Sequence, residues 1–207
     1  MRFLRMNFPS LLSAVVATFA ATVPACGQVQ EVVVGVTMTC PYENAIEGGC
    51  WSGAYWALLQ LDGVKSVEKS ANGYNCTARV TPKDKSFPDP ELWAREFKKS
   101  VDQTYTFRGV ELTAAGTAAA PNGNLTLHIP DVSEPIQLQP LEHKLQWNAK
   151  KKAPREPEPG ERDACSQLAA QLKAAKGGEL KVKVTGPLIK SENGYILEVR
   201  EYFPMTE

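Results

Sequence analysis

Glu31-Val32-Val33-Val34-Gly35-Val36-Thr37-Met38-Thr39-Cys40 is followed, after Pro41 to Gly49, by Cys50-Trp51-Ser52-Gly53-Ala54-Tyr55-Trp56-Ala57-Leu58-Leu59-Gln60-Leu61-Asp62-Gly63-Val64. The first run is dense in valine and threonine, whose branched side chains suit a pleated strand. The second carries Ala54, Leu58 and Leu61 at helical spacing and stops at Gly63, which predicts a helix from about Trp51 to Leu61. The polar, glycine-ended stretch between them is a loop. Cys40 therefore ends a strand, and Cys50 sits where a helix begins. Backbone N–H groups without partners and the helix dipole favour a thiolate at such a place. A thiolate is both a nucleophile and a metal ligand, so the two cysteines mark a thiol site. Three readings are open for it: a metal site, a redox-active or free thiol pair, and a structural disulfide.

The pattern extends outward in both halves of the chain. Val64 to Lys69 and Asn75 to Pro82 read as short strands of a hairpin around Ala71-Asn72-Gly73. Asp89-Pro90-Glu91 is a helix start, with a capping aspartate, proline at the first helical position and then an acid. That helix runs to about Gln103 and carries Trp93, Phe97 and Val101 on one face, and Tyr105 to Leu112 returns as a strand. The order β-α-β-β-α-β is the ferredoxin-like split βαβ pattern. Val110 to Ala119, Asn124 to Ile129 and Pro135 to Leu141 then read as three strands. The charged, proline-rich Lys150 to Glu161 reads as a solvated connection. Asp163 to Lys176 reads as a helix with Cys165, Leu168 and Leu172 on one face, and Glu179 to Leu188 and Tyr195 to Tyr202 close the chain as strands. Three strands, a helix and two strands is the order of an OB-fold barrel. The expected class is α+β: a ferredoxin-like unit over residues 31–112 and an OB-like unit with one helix over 113–204. A boundary near Leu112 to Gly116 is also where one long strand would serve both units.

Met38-Thr39-Cys40, with Cys50, Ala54, Leu58, Leu61, Gly63 and Val64, resembles the heavy-metal-associated domain of copper chaperones, metal-transport ATPases and mercury-binding periplasmic proteins. The likeness covers Glu31 to Leu112. It implies a ferredoxin-like fold and a thiophilic metal ion, copper-like, held by Cys40 and Cys50 with Met38 near the loop. Two soft thiolates select Cu(I), Zn(II) or mercury-like ions over hard cations. In the family the cysteines lie close together on one loop; here nine residues separate them, and Glu47 stands where the family's first cysteine would be. A longer loop adds only a slowly growing closure entropy. Gly48-Gly49-Cys50-Trp51-Ser52-Gly53 is also similar to peptide methionine sulfoxide reductase A, which implies Cys50 as a reductase nucleophile. That family has Phe-Trp-Gly after its cysteine, against Trp51-Ser52-Gly53 in this chain.

The N-terminus reads as an export signal over residues 1–25: Arg2 and Arg5, an apolar stretch from Leu11 to Val23, and the small-residue region Val23-Pro24-Ala25. Cys26 follows at once, so Val23-Pro24-Ala25-Cys26 resembles a bacterial lipoprotein cleavage box and implies a lipid on Cys26, with simple secretion as the alternative. A lipid would tether the chain, not make it span. The expected location is the periplasm or cell envelope. About 180 residues follow the leader, enough for one large domain or two small ones. Lysine plus arginine and aspartate plus glutamate are 23 each, so the electrostatic footprint of a nucleic-acid binder is missing.

The remaining candidates read as structural. With the first and third strands of the ferredoxin-like sheet taken as parallel, Cys76 falls at the end away from Cys40 and Cys50 and is not a third ligand. Cys165 lies on an apolar helix face as a small core residue, and a Cys76–Cys165 bridge is the alternative. His128 and His143, the only histidines, lie fifteen apart in strand and loop contexts and read as surface residues without carboxylate partners. Trp51, Tyr55 and Trp56 read as core, with the lining of a hydrophobic groove as the alternative. No Ser-His-Asp set, phosphate-cradling loop or paired carboxylates stand out, so no catalytic or cofactor-binding residue is assigned. The expected role is non-enzymatic: binding of a thiophilic ion through Cys40 and Cys50, with an envelope protein as a further partner. The alternative is a scaffold module whose cysteines are structural and whose barrel contacts a protein or glycan.

Overall fold

The structure is a computed structural model that describes residues 28–38, 50–69, 76–83, 87–130, 132–148, 150–175 and 178–205. The leader, Cys26, Cys40 and the loop before Cys50 lie outside the described residues, as does the side chain of Cys50. The elements run β1 (Gln28–Met38), α1 (Cys50–Leu59), β2 (Val64–Lys69), β3 (Thr77–Pro82), α2 (Pro90–Ser100), β4 (Tyr105–Ala119), β5 (Thr126–His128), β6 (Ile136–Pro140), β7 (Trp147–Asn148), β8 (Ala153–Pro154), α3 (Pro159–Ala174), β9 (Glu179–Ser191), β10 (Gly194–Val199) and β11 (Glu201–Pro204). The fold is mixed α+β: one nine-stranded sheet, a small β7–β8 hairpin and three α-helices among the described residues.

The sheet order is β11-β9-β10-β6-β5-β4-β1-β3-β2, with a further pairing of β9 to β4. That pairing closes β4, β5, β6, β10 and β9 into a ring in which only β6 and β10 run parallel. The other four-stranded portion, β4-β1-β3-β2, is antiparallel throughout. Strand β4 belongs to both. Its Tyr105 to Ala115 pairs with β1, while Val110 to Ala119 pairs with β9 along the other edge. The two strands expected around residues 105–119 are thus one strand.

Apolar periodicity accounts for the core. Val32, Val34 and Val36, alternate residues of β1, share one buried cluster with Ala54 and Leu58 of α1 and with Trp93 and Phe97 of α2. The same cluster continues through Leu112, Leu127, Leu138, Leu168 and Leu197, so a single core runs under both parts of the sheet. Helix α2 begins as its sequence predicts: the Asp89 carboxylate accepts the N–H groups of Glu91 and Leu92, at 3.1 and 3.0 Å, with Pro90 at the first helical position. It ends at Ser100, and Val101 leaves in an extended conformation.

Helix α3 starts earlier than expected. Pro159 opens it, and a reciprocal capping box between Glu158 and Glu161 satisfies its first N–H groups. The charged stretch before it is in part the β7–β8 hairpin, with Lys150 to Lys152 at its turn. Trp56, read as core, is an exposed residue of α1, 59% accessible, with the Tyr55 ring edge-on at 5.3 Å.

Candidate functional site

Cys50 is the first residue of α1, in the connection that leaves β1 at Met38. Behind it, Gly53 allows the Tyr105 ring against the helix, where a Cβ would clash with the phenol. Ala54, Ala57, Leu58 and Leu61 fasten the helix to the core. The far end of the helix is held by α2: the Trp93 indole N–H donates to the Asp62 carbonyl at 3.0 Å, and the Asp62 N–H donates to Glu96 at 2.8 Å. The pairing of Cys40 with Cys50 lies outside the described residues.

Cys76 is not where the sequence reading put it. Strands β1 and β3 are antiparallel, with Gly35 opposite Thr77, and the Val36 N–H donates to the Cys76 carbonyl at 2.9 Å. Cys76 therefore stands at the end of the sheet where β1 runs out towards α1. The reason is topological: β2 runs in the same direction as β1, so the hairpin partner β3 must run against both. Cys76 is a buried free thiol with φ of 49°, and burial pushes its pKa up while the Arg108 charge opposes this. Cys165 is also a buried free thiol, so the two do not form a bridge.

Arg108 of β4 crosses to this end of the sheet. Its Nη2 donates to the Cys76 carbonyl at 3.1 Å, and its guanidinium lies 4.9 Å from the centre of the Trp147 ring. Burial pulls its pKa down to about 10. Gly35 leaves the space: a Cβ there would meet Arg108 at 3.1 Å and Leu145 at 3.2 Å. Leu145 belongs to residues 141–146, an irregular strap that follows β6 and leads into β7, where Trp147 stands.

The strap is fastened by three carboxylates. Glu198 of β10 accepts the N–H groups of Glu142 and His143 on Oε2, at 2.8 and 2.7 Å, and its Oε1 meets His143 Nδ1 at 2.5 Å. Glu161 of α3 holds Lys144 at 2.5 Å. Glu111 of β4 receives Gln146 Nε2, at 3.3 and 3.2 Å, together with a bidentate pair from Arg200 at 3.0 and 3.1 Å. His143 thus has a carboxylate partner, contrary to the sequence reading. Glu198 lies 55 residues further along the chain, so no local spacing could reveal it.

His128 lines an open groove of about 680 Å³ at the end of the ring with Thr117, Thr126, Pro135 and Glu179. No helix among the described residues is long and apolar enough to cross a membrane. Comparisons with protein-family models, with curated proteins and with solved structures found no match.

Proposed function

We propose that this is an exported, non-catalytic protein of the cell envelope that binds one thiophilic metal ion, copper-like, through Cys40 and Cys50. In this reading β1 to β4 are a ferredoxin-like unit of the heavy-metal-associated kind, and the five-strand ring with α3 is an OB-like barrel. The observation that carries it is Cys50 as the first residue of α1, directly after the connection from β1. The helix dipole stabilises a thiolate there, and a pair of thiolates suits a soft ion. The β4-β1-β3-β2 order, with α1 and α2 as the connecting helices, supports the ferredoxin-like reading. The parallel β6–β10 pair and the helix between β6 and β9 support the barrel reading. Cys76 is a protonated core thiol in this account, because burial raises its pKa. Val23-Pro24-Ala25-Cys26 supports export, with Cys26 as the anchor if a lipid is added.

Mass spectrometry of the protein from its native envelope, with and without reductant, tests the site. Free or metal-protected Cys40 and Cys50 are expected. A Cys40–Cys50 disulfide that resists mild reduction would make the cysteines structural. That outcome would favour a scaffold module, for which the groove beside His128 and Glu179 is the place to seek a partner.

A further inference from the structure

The three carboxylates that fasten the strap differ in how their charge is met. Glu111 faces the Arg200 guanidinium, and Glu161 faces Lys144 with Arg200 at 3.6 Å. Glu198 has no such partner among the described residues: its contacts are two backbone N–H groups and the ring of His143. Its side chain is only 4% exposed. A carboxylate so deeply buried is costly unless a cation or a full set of donors compensates it. What stands beside it is not a lysine or arginine but a second acid, Glu142.

The two oxygens of Glu198 have separate tasks. Oε2 holds the backbone at Glu142 and His143, which fixes where those two side chains start. Oε1 is left with the imidazole. One ligand atom from each of Glu142, His143 and Glu198 lies within 4.8 Å of the others. We infer that these three side chains form a binding site for a divalent first-row metal ion, zinc-like in preference, independent of the cysteine pair. An imidazole with two carboxylates is a borderline donor set, harder than a thiolate pair, and suits Zn(II) rather than Cu(I). Two carboxylates and a neutral imidazole carry two negative charges, which a divalent ion neutralises. The ion binds the Nδ1 lone pair of the neutral ring tautomer that carries its proton on the exposed Nε2, and so takes the place of the hydrogen bond between Nδ1 and Oε1. Those atoms then part to about 3 Å, the separation of two ligands bonded at zinc distances. The His143 side chain is 67% exposed, so its ring swings outward without disturbing the core.

The test is a Zn(II) titration by calorimetry on full-length Cys40→Ser/Cys50→Ser protein, which removes the proposed thiol site. Saturable uptake of about one ion per chain is expected. His143→Ala and Glu142→Gln, both changes at exposed side chains, are expected to weaken it at least about tenfold while circular dichroism stays unchanged. Co(II) is expected to give visible bands without thiolate charge transfer. No saturable uptake, affinity unchanged by His143→Ala, or a thiolate-to-cobalt band would overturn the inference. Because the cysteine pair is absent throughout, the result is independent of whether the thiol site binds copper.

Discussion

Lys190 of β9 is ion-paired with Asp89, the residue that caps α2. One carboxylate therefore starts a helix of the four-stranded portion and binds a strand of the ring. Phe87 and Tyr195 pack edge-on beside it, 4.9 Å between centres. Asp89→Ala removes the cap and the tie together. A loss of about 1 kcal/mol from the cap alone is expected, with a smaller, salt-sensitive loss for Lys190→Ala. Urea unfolding of both variants at low and high salt measures the difference.

Acid should loosen the strap. Burial pushes the Glu161 carboxyl up, but the Lys144 hydrogen bond, the Glu158 N–H and the charges of Lys144 and Arg200 outweigh it and hold the pKa below the ordinary range. A carboxyl lowered in the folded state adds stability that is full above its unfolded value and disappears as pH falls through the folded one. The expected window of loss opens below roughly pH 4. Glu161→Gln should lower the thermal midpoint at pH 7 and show a shallower fall between pH 5 and pH 3 than the parent protein.

Gly186 is opposite Leu112 on β4, and the backbone of the β10–β11 junction crosses directly above it. A Cβ there would overlap the Glu198 carbonyl oxygen and come within 2.8 Å of its carbon. Both are backbone atoms, so no side-chain rotation relieves the clash. Gly186→Ala should cost on the order of 1–3 kcal/mol or more in chemical denaturation. It should also weaken the strap, because Glu198 is displaced.

Arg200 joins Glu111, Glu161 and Glu201. Arg200→Met keeps the stem but leaves Glu111, 6% exposed at its side chain, facing Gln146 alone. Breaking one partner of a buried pair typically costs about 3–5 kcal/mol. The Arg200→Met/Glu111→Leu double variant should recover part of that loss, which a double-mutant cycle reads directly.

Local signals were legible where the physics is local. Asp89-Pro90-Glu91 names its own cap, and the valine- and threonine-rich run from Glu31 to Thr39 marks β1 as a strand. The continuity of Tyr105 to Ala119 was legible in two overlapping strand readings and in the option of one long strand serving both units. What could not be read was distance. The direction of β3 does follow from the β-α-β-β order, since the crossover sets β2 along β1 and the hairpin turns β3 against both, so the parallel pair assumed for Cys76 is a misreading of topology. The His143–Glu198 contact joins a loop to a strand, and neither segment carries a pattern pointing to the other. The start of α3 was missed because its cap uses Glu158, outside the usual serine, threonine, aspartate and asparagine set.

The most direct test of the proposed function is a Cu(I) titration of the reduced full-length protein against a competing chromophoric chelator, beside Cys50→Ser. Uptake of about one Cu(I) per chain, lost in Cys50→Ser, is the predicted result. No uptake by the reduced protein, or the same uptake without the Cys50 thiol, would contradict it.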